Sequence, residues 1–325
     1  IMPSLVGSEM CIRDSYNTQP LKVYFDGGNL ALSHNGNLTN AKQLRAKLAK
    51  EGAVFNTTVD TEVVLTLIAR SKFSTIEERV ADAVRHIRGA YAILIMTDNK
   101  IIAVRDPYGF RPLVLGKMEN GWCVASESCA FDLVGAELIR DVKPGEMVVI
   151  DSDNSEPRSS MWVEKVPEKT AHCIFEYVYF ARNDSIMDNQ PVYDSRIQMG
   201  RELAKETKDV KADIIISAPD SGTPAAIGYS LESGIPFMEG LTKNRYVGRT
   251  FIQPTQKQRA NAVRLKLNPV RSVVAGKSVV MVDDSIVRGT TSGKVVKLLK
   301  EAGAKEVHVC ISSPPVIDSC YYGCL

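Results

Sequence analysis

Apolar and polar positions follow one rhythm in the first half of the chain and another in the second. In the first half, Lys22–Phe25 and Asn29–Ser33 are short strand-like runs around Asp26-Gly27-Gly28, a hairpin signal. His34-Asn35-Gly36-Asn37 reads as a tight polar turn after them. Thr39 then caps a helix that carries Leu44 and Leu48 and ends at Gly52. A second helix starts near Asp60-Thr61-Glu62 and bears Val63, Val64, Leu67 and Ile68. A third, from Thr75 to Arg88, lines up Ile76, Val80, Val84 and Ile87 on one face. Strands return at Ala90–Met96, Ile101–Val104, around Val124 and at Met147–Ile150, with residues 105–112 as a rigid loop. Helices set between groups of mostly antiparallel strands predict a four-layer αββα sandwich.

Asp151 to Thr170 is polar, holds two prolines and marks the expected boundary between halves. Beyond it, strand and helix alternate. Asp213–Ser217 is an apolar strand, Ala218 to Thr223 a loop, and Pro224–Ser233 a helix with proline at its start. Phe237 opens another strand candidate, and Val307, Val309 and Ile311 alternate as a last one. This is βαβ organisation with a parallel sheet.

The densest chemistry lies between those last elements. Val279 to Val282 is an unalternated apolar run, suited to a strand buried on both faces. Asp283 and Asp284 stand where it should end. Ser285 to Thr291, with Arg288 and Gly289, forms the following loop, and from Ser292 a helix presents Val295, Val296, Leu298, Leu299 and Ala302. Backbone N–H groups at that helix start, with the hydroxyls of Thr290, Thr291 and Ser292, make a seat for a phosphate, and Gly289 lets the backbone come close. The two carboxylates repel an anion. They suit sugar hydroxyls or a hard cation such as Mg2+. A phosphorylated sugar satisfies both sets of groups.

Upstream, no acidic residue occurs between Glu239 and Asp283, yet nine Lys and Arg do. Lys243, Arg245, Tyr246 and Arg249 cluster there with the hinge-like Gly248. A solvated basic face explains many such runs. Placed directly before a phosphate loop, this one favours clamping a polyanionic small molecule, and the near-neutral net charge of +2 argues against nucleic acid.

At 325 residues, 44% hydrophobic and 24% charged, the chain is long enough for two domains with real cores. It has no apolar run of bilayer length and no signal-peptide order at its start. Seven scattered cysteines point to a reducing cytoplasm rather than a disulfide framework.

Val279 to Thr291 resembles the phosphoribosyl-diphosphate motif of type I phosphoribosyltransferases, in the spelling of the amidophosphoribosyltransferase family. Pro219-Asp220-Ser221 resembles that family's pyrophosphate-side loop, and Lys243 to Ile252 its flexible loop. Ala31 to Asn40 is similar to the oxyanion-hole segment of class II glutamine amidotransferases. The resemblance implies an N-terminal-nucleophile αββα domain followed by a phosphoribosyltransferase domain, with residues 16–165 and 166–325 as their extents. It implies oxyanion donors at Asn35 and Gly36, glutamine binding at Asp60, and Mg2+ at Ser221, Asp283 and Asp284. Phosphoribosyl diphosphate falls to Asp283, Asp284, Ser285, Arg288, Gly289, Thr290, Thr291, Lys243, Arg245, Tyr246 and Arg249. Cys173 and Cys320 match two of four ligands of a [4Fe-4S] cluster carried by one branch of the family, and full-length members imply a homo-oligomer. His34 is expected to be structural. Phe175 to Asp184 is expected to join the two sites.

Two departures from the family are visible. Ile1 to Ser15 matches nothing expected and reads as a foreign leader, and the nucleophilic N-terminal cysteine and its Arg-Tyr-Ser-Thr segment are not found. Cys11 lies too near Tyr16 to leave room for the strands between. The chain is thus expected to be a fragment lacking both ends and to lack glutaminase activity. A nucleobase phosphoribosyltransferase and a silent phosphoribosyl-diphosphate-binding regulator are the rival readings.

Overall fold

The computed structural model describes residues 17–153, 155–244, 267–286 and 289–323. The chain packs as two units. One holds the described residues up to Cys173 together with 319–323, and the other runs from Ile174 to Asp318.

The first unit is built on a six-stranded antiparallel sheet, ordered β1-β2-β3-β4-β8-β9, and a three-stranded sheet, β6-β5-β7. The strands are β1 Leu21–Phe25, β2 Gly28–Leu38, β3 Gly89–Met96, β4 Lys100–Arg105, β5 Val114–Met118, β6 Gly121–Ala125, β7 Glu137–Asp141, β8 Glu146–Asp151 and β9 Arg158–Met161. Strand alternation sorts the large sheet's side chains into two cores. Leu30, Leu32, Ile93, Ile95, Ile102 and Val149 pack with Val64, Leu65 and Ile68 of helix α2 (Thr61–Arg70) and Val80 and Val84 of α3 (Ile76–His86). Ala92, Ala103 and Val148, on the other face, pack with Leu115 of the smaller sheet and with Leu113 and Val142, which flank its strands. A layer of helices (α1 is Ala41–Lys50) thus covers one face and a second sheet the other, with a short helix α4, Cys129–Val134, between β6 and β7.

The predicted turn at residues 34–37 is not a turn. These residues continue β2, paired from His34↔Ile93 to Leu38↔Gly89. Polar composition suggested a reversal, but the cross-strand ladder to β3 overrides it. Gly36 has φ +141°, and a Cβ there would lie 1.9 Å from the Ala90 carbonyl oxygen, so the glycine is required by the close approach of the two strands.

The expected rigid loop after β4 is present and has a buried reason. Arg105, 1% exposed, donates to the carbonyl oxygens of Gly109, Arg111 and Val142. Asp106, fully buried, accepts from the N–H groups of Tyr91, Tyr108 and Phe110. Residues 319–323 return to this loop and to β2: Tyr322 stacks on Phe110 at 4.4 Å, and Asn37 Nδ2 donates to the Tyr321 carbonyl.

The second unit centres on three parallel strands, ordered β12-β15-β16: Ile214–Ser217, Ser278–Asp283 and Glu306–Ile311. Two small antiparallel pairs lie outside this sheet, β10 Ile186–Met187 with β11 Gln190–Pro191, and β13 Leu241–Lys243 with β14 Leu267–Pro269. Both sheet faces are covered. Ile215, Val280 and Val282 pack on α5 (Val192–Glu206) and α6 (Gly222–Ser233). Ile214, Ile216, Val279 and Met281 pack on the helix Thr290–Glu301 through Val295 and Leu299. Each such buried aliphatic contributes about 1.5–3 kcal/mol, which is why the central strand reads as a continuous apolar run. Phe237 contributes only one parallel bridge, to Ile215, in place of the expected strand. Helix α5 had no counterpart in the sequence reading. Gly200 and Gly228 set its crossing with α6, since a Cβ at either would meet backbone of the other helix at 1.9–2.0 Å.

Candidate functional site

In the second unit the candidate groups collect at the carboxyl edge of the parallel sheet, where ligands bind open α/β sheets. β12 and β15 run side by side from Ile214↔Val279 to Ser217↔Val282, so the residues that follow them emerge together. The loop after β12 is drawn onto β15 by the Ala218 N–H, which donates to the Val282 carbonyl at 2.9 Å. Gly222 permits the approach: a Cβ there would sit 3.0 Å from the Val282 oxygen and 3.3 Å from the Asp283 Cα. Ser221 is thereby placed to donate its hydroxyl to Asp284 Oδ2, while Ser285 donates to Oδ1 at 2.5 Å. Asp284 is buried, and both of its oxygens are held.

Asp283 is in a different state. Burial, and then the charge of Asp284, push its carboxyl up to about 6, against the pull of the Asp284 N–H that donates to it at 2.9 Å. Two carboxylates and a hydroxyl are hard oxygen donors, and Mg2+ keeps several of its own waters, so this set fits the cation without further protein ligands. A divalent charge there would also relieve the repulsion between the pair.

Lys243, at the end of β13, pairs with Asp220 at 2.5 Å. Gly289, at φ +66°, precedes the helix Thr290–Glu301, so the expected glycine-to-helix entry is present. Arg245, Tyr246, Arg249 and Arg288 lie outside the described residues, as do the side chains of Thr290 and Thr291.

In the first unit, β2 carries the candidate groups. Its pairing with β1 stops at Leu32, so β1 does not cover the edge of residues 33–38 away from β3. Alternate N–H groups of a strand share one edge. Those of His34 and Leu38 are taken by side chains, Gln19 Oε1 at 2.5 Å and Asp60 Oδ2 at 2.9 Å. The Gly36 N–H lies between them on the same edge. Asn35 pairs with Ala92, and so points to the face covered by the second sheet, opposite to His34.

Asp60 precedes α2. Burial raises its carboxyl, but His34 and the N–H groups of Leu38 and Thr61 outweigh that and leave it below the ordinary Asp value. Sequence reasoning missed Gln19, because reading residues 34–37 as a turn left no strand-edge N–H at His34 for it to fill.

Cys173 and Cys320 both belong to the first unit. The Cys173 N–H donates to the Phe110 carbonyl at 3.1 Å, and Tyr322, two residues past Cys320, stacks on Phe110. Among the described residues, no group of three or more His, Cys, Asp or Glu is placed to hold a metal ion, so those thiols do not by themselves complete a four-iron cluster. No described helix is long and apolar enough to cross a membrane.

Comparison with known proteins places both halves. Residues 8–132 match the family described as glutamine amidotransferase domain, and residues 183–313 the family described as phosphoribosyl transferase domain. An amidophosphoribosyltransferase of Arabidopsis thaliana chloroplasts is 52% identical over 94% of this chain and 54% of its own length. That of Bacillus subtilis is 50% identical over 94% of this chain and 64% of its own. A solved structure of the B. subtilis glutamine phosphoribosylpyrophosphate amidotransferase, complexed with ADP and GMP, superposes with a TM-score of 0.88 at 49% identity. It covers 95% of this chain and 67% of that one. The chain therefore spans between about half and two thirds of the length of these relatives. Half-identity along nearly all of its residues, on a shared backbone, makes it a member of the amidophosphoribosyltransferase family.

Proposed function

We propose that this protein forms 5-phosphoribosylamine from phosphoribosyl diphosphate and ammonia, the opening step of purine biosynthesis, the ammonia being drawn from glutamine where the family's nucleophilic cysteine is present. The observation that carries the reading is the Ser221–Asp284 contact, with Asp283 beside it, at the carboxyl edge of the parallel sheet. In the reaction, ammonia attacks C1 of the ribose, a C–N bond forms, the C–O bond to diphosphate breaks, and the nitrogen sheds a proton. Asp283, Asp284 and Ser221 would hold Mg2+, which supplies charge neutralisation for the departing diphosphate. The basic run from Lys243 through Arg245, Tyr246 and Arg249, and the loop at Ser285, Arg288, Gly289, Thr290 and Thr291, would take the phosphates. Residues 16–165 form the glutamine half of this reading, in which Asn35 and the Gly36 N–H are donors to an oxyanion and Asp60 receives the glutamine α-ammonium group.

Cys173 and Cys320 carry the iron–sulfur part of the reading, which needs thiolates beyond the described residues. Iron and sulfide analysis of the purified protein tests it. A reducing compartment such as the cytoplasm, and assembly into a homo-oligomer, belong to the same proposal.

The main test supplies phosphoribosyl diphosphate, Mg2+ and ammonium and measures diphosphate release. Ammonium-dependent release that Asp284→Asn abolishes supports the reading. Release that needs adenine, guanine or another nucleobase instead would make the protein a nucleobase phosphoribosyltransferase.

A further inference from the structure

His34 is buried, its side chain only 1% exposed, yet it does not sit among apolar groups alone. Its Nδ1 lies 3.4 Å from Thr61 Oγ1 and 3.6 Å from Asp60 Oδ1, and its Nε2 has no partner among the described residues. The residue occupies the helix-covered face of β2, under the start of α2, while Asn35 occupies the opposite face. A ring that served packing alone would be better replaced by Leu or Ile, as at Leu32 and Ile93 beside it, because an unpaired buried ring nitrogen costs stability.

Three side chains lock this corner. Gln19 accepts from the His34 N–H and donates to Thr61 Oγ1 at 3.4 Å, so the start of α2 is tied to β2 through Thr61. Asp60 is tied to the same strand at Leu38. The other charged groups near Asp60 are engaged elsewhere. Arg45 of α1 donates to the Thr57 and Val59 carbonyls and pairs with Glu62 at 3.6 Å. Glu62 of α2 accepts from the N–H groups of Asn56 and Thr57. The imidazole is therefore the titratable group that faces the Asp60 carboxylate from the strand.

The geometry points to His34 as a positioning residue: through Nδ1 it holds the Asp60 carboxylate ionised and fixed in direction, so that Oδ1 faces an incoming ammonium group while Oδ2 stays on the Leu38 N–H. This rests on the reading of Asp60 as the acceptor for the α-ammonium group of glutamine, and it assigns a role to a side chain that does not itself touch that substrate. Oδ1 is off the Leu38 N–H and has the Thr61 hydroxyl at 3.5 Å beside the imidazole, and the Asp60 side chain, 23% exposed, is reachable from solvent where His34 is not. Removing the ring would free the carboxylate to turn and would take away the group that offsets its burial.

The test is a carboxyl-carbon NMR titration of Asp60 in the full chain, with His34→Ala and His34→Asn variants, the second retaining a donor near Nδ1. The expected result is an upward shift of the Asp60 midpoint in His34→Ala and recovery of most of it in His34→Asn. In the wild-type chain the His34 ring resonances should also report the Asp60 midpoint, a readout that survives if a variant does not fold. An unchanged Asp60 midpoint in a folded His34→Ala chain, or a ring signal flat across that midpoint, overturns the proposal. Glutamine binding, followed by the same resonances, separates the two ideas. If glutamine leaves Asp60 unperturbed, the glutamine-binding reading fails and the positioning role falls with it. If glutamine perturbs Asp60 but the His34 variants bind it as the wild type does, the positioning role alone fails.

Discussion

The Ser221 hydroxyl donates to Asp284 across 63 residues of sequence, joining the loop after β12 to the end of β15. A serine at a loop and an aspartate at a strand end become one oxygen-rich patch only because their strands are parallel neighbours. Ser221→Ala should therefore weaken Mg2+-dependent binding of phosphoribosyl diphosphate by roughly tenfold, the worth of one hydrogen bond to a charged group. Titration calorimetry reads this directly, and equal affinity for the two proteins would remove Ser221 from the site.

Asp283 carries the clearest pH signature. Its folded value of about 6 lies above the ordinary Asp value of 3.8, so between those limits the folded chain binds more protons than the unfolded one. The carboxyl thus subtracts from stability progressively as pH rises from about 4 to about 6. Asp283→Asn should raise the stability of the ligand-free protein at pH 7 by on the order of 1–2 kcal/mol and flatten that slope. Denaturant melts at several pH values measure it; a variant less stable at pH 7 would contradict the account.

Gly36→Ala should destabilise the first unit by roughly 2–4 kcal/mol, since both the left-handed φ and the Ala90 carbonyl oppose a side chain. The backbone of a paired strand has little room to yield. A variant that melts within experimental error of the wild type would show that β2 and β3 separate there at little cost.

Asp106→Ala removes the acceptor for the N–H groups of Tyr91, Tyr108 and Phe110. Leaving those donors unsatisfied should cost about 1–3 kcal/mol for each that water cannot reach. Hydrogen exchange at the three amides, compared between the proteins, should accelerate strongly in the variant. Unchanged protection would mean that the loop is held by Arg105 alone.

Much of this was written in the order of residues. The apolar run at residues 279–282, the carboxylates after it and the glycine before the next helix were legible because each obeys a local rule: burial on both faces, a strand end, a left-handed helix entry. The hydrophobic faces of α2 and α3 were legible for the same reason. What escaped depended on partners far along the chain. His34 to Asn37 have turn composition but are held extended by β3, and no local signal announces that ladder. Helix α5 was missed because its buried face, Val192, Arg196, Gly200, Leu203 and Ala204, puts an arginine and a glycine where an apolar stripe would be read. In the site, the acidic pair could be read from its position, whereas the roles of Gln19 and His34 emerge only when the strand's open edge is seen.

That Asn35 and His34 look in opposite directions makes the alignment of β2 unusually unforgiving. A single-residue slip against β3 would turn the imidazole toward the second sheet and the amide toward the helices, dismantling both arrangements at once. Insertions or deletions between Gly28 and Leu38 would shift this alignment, and so would changes in the segments that bring Gln19 and Asp60 to it.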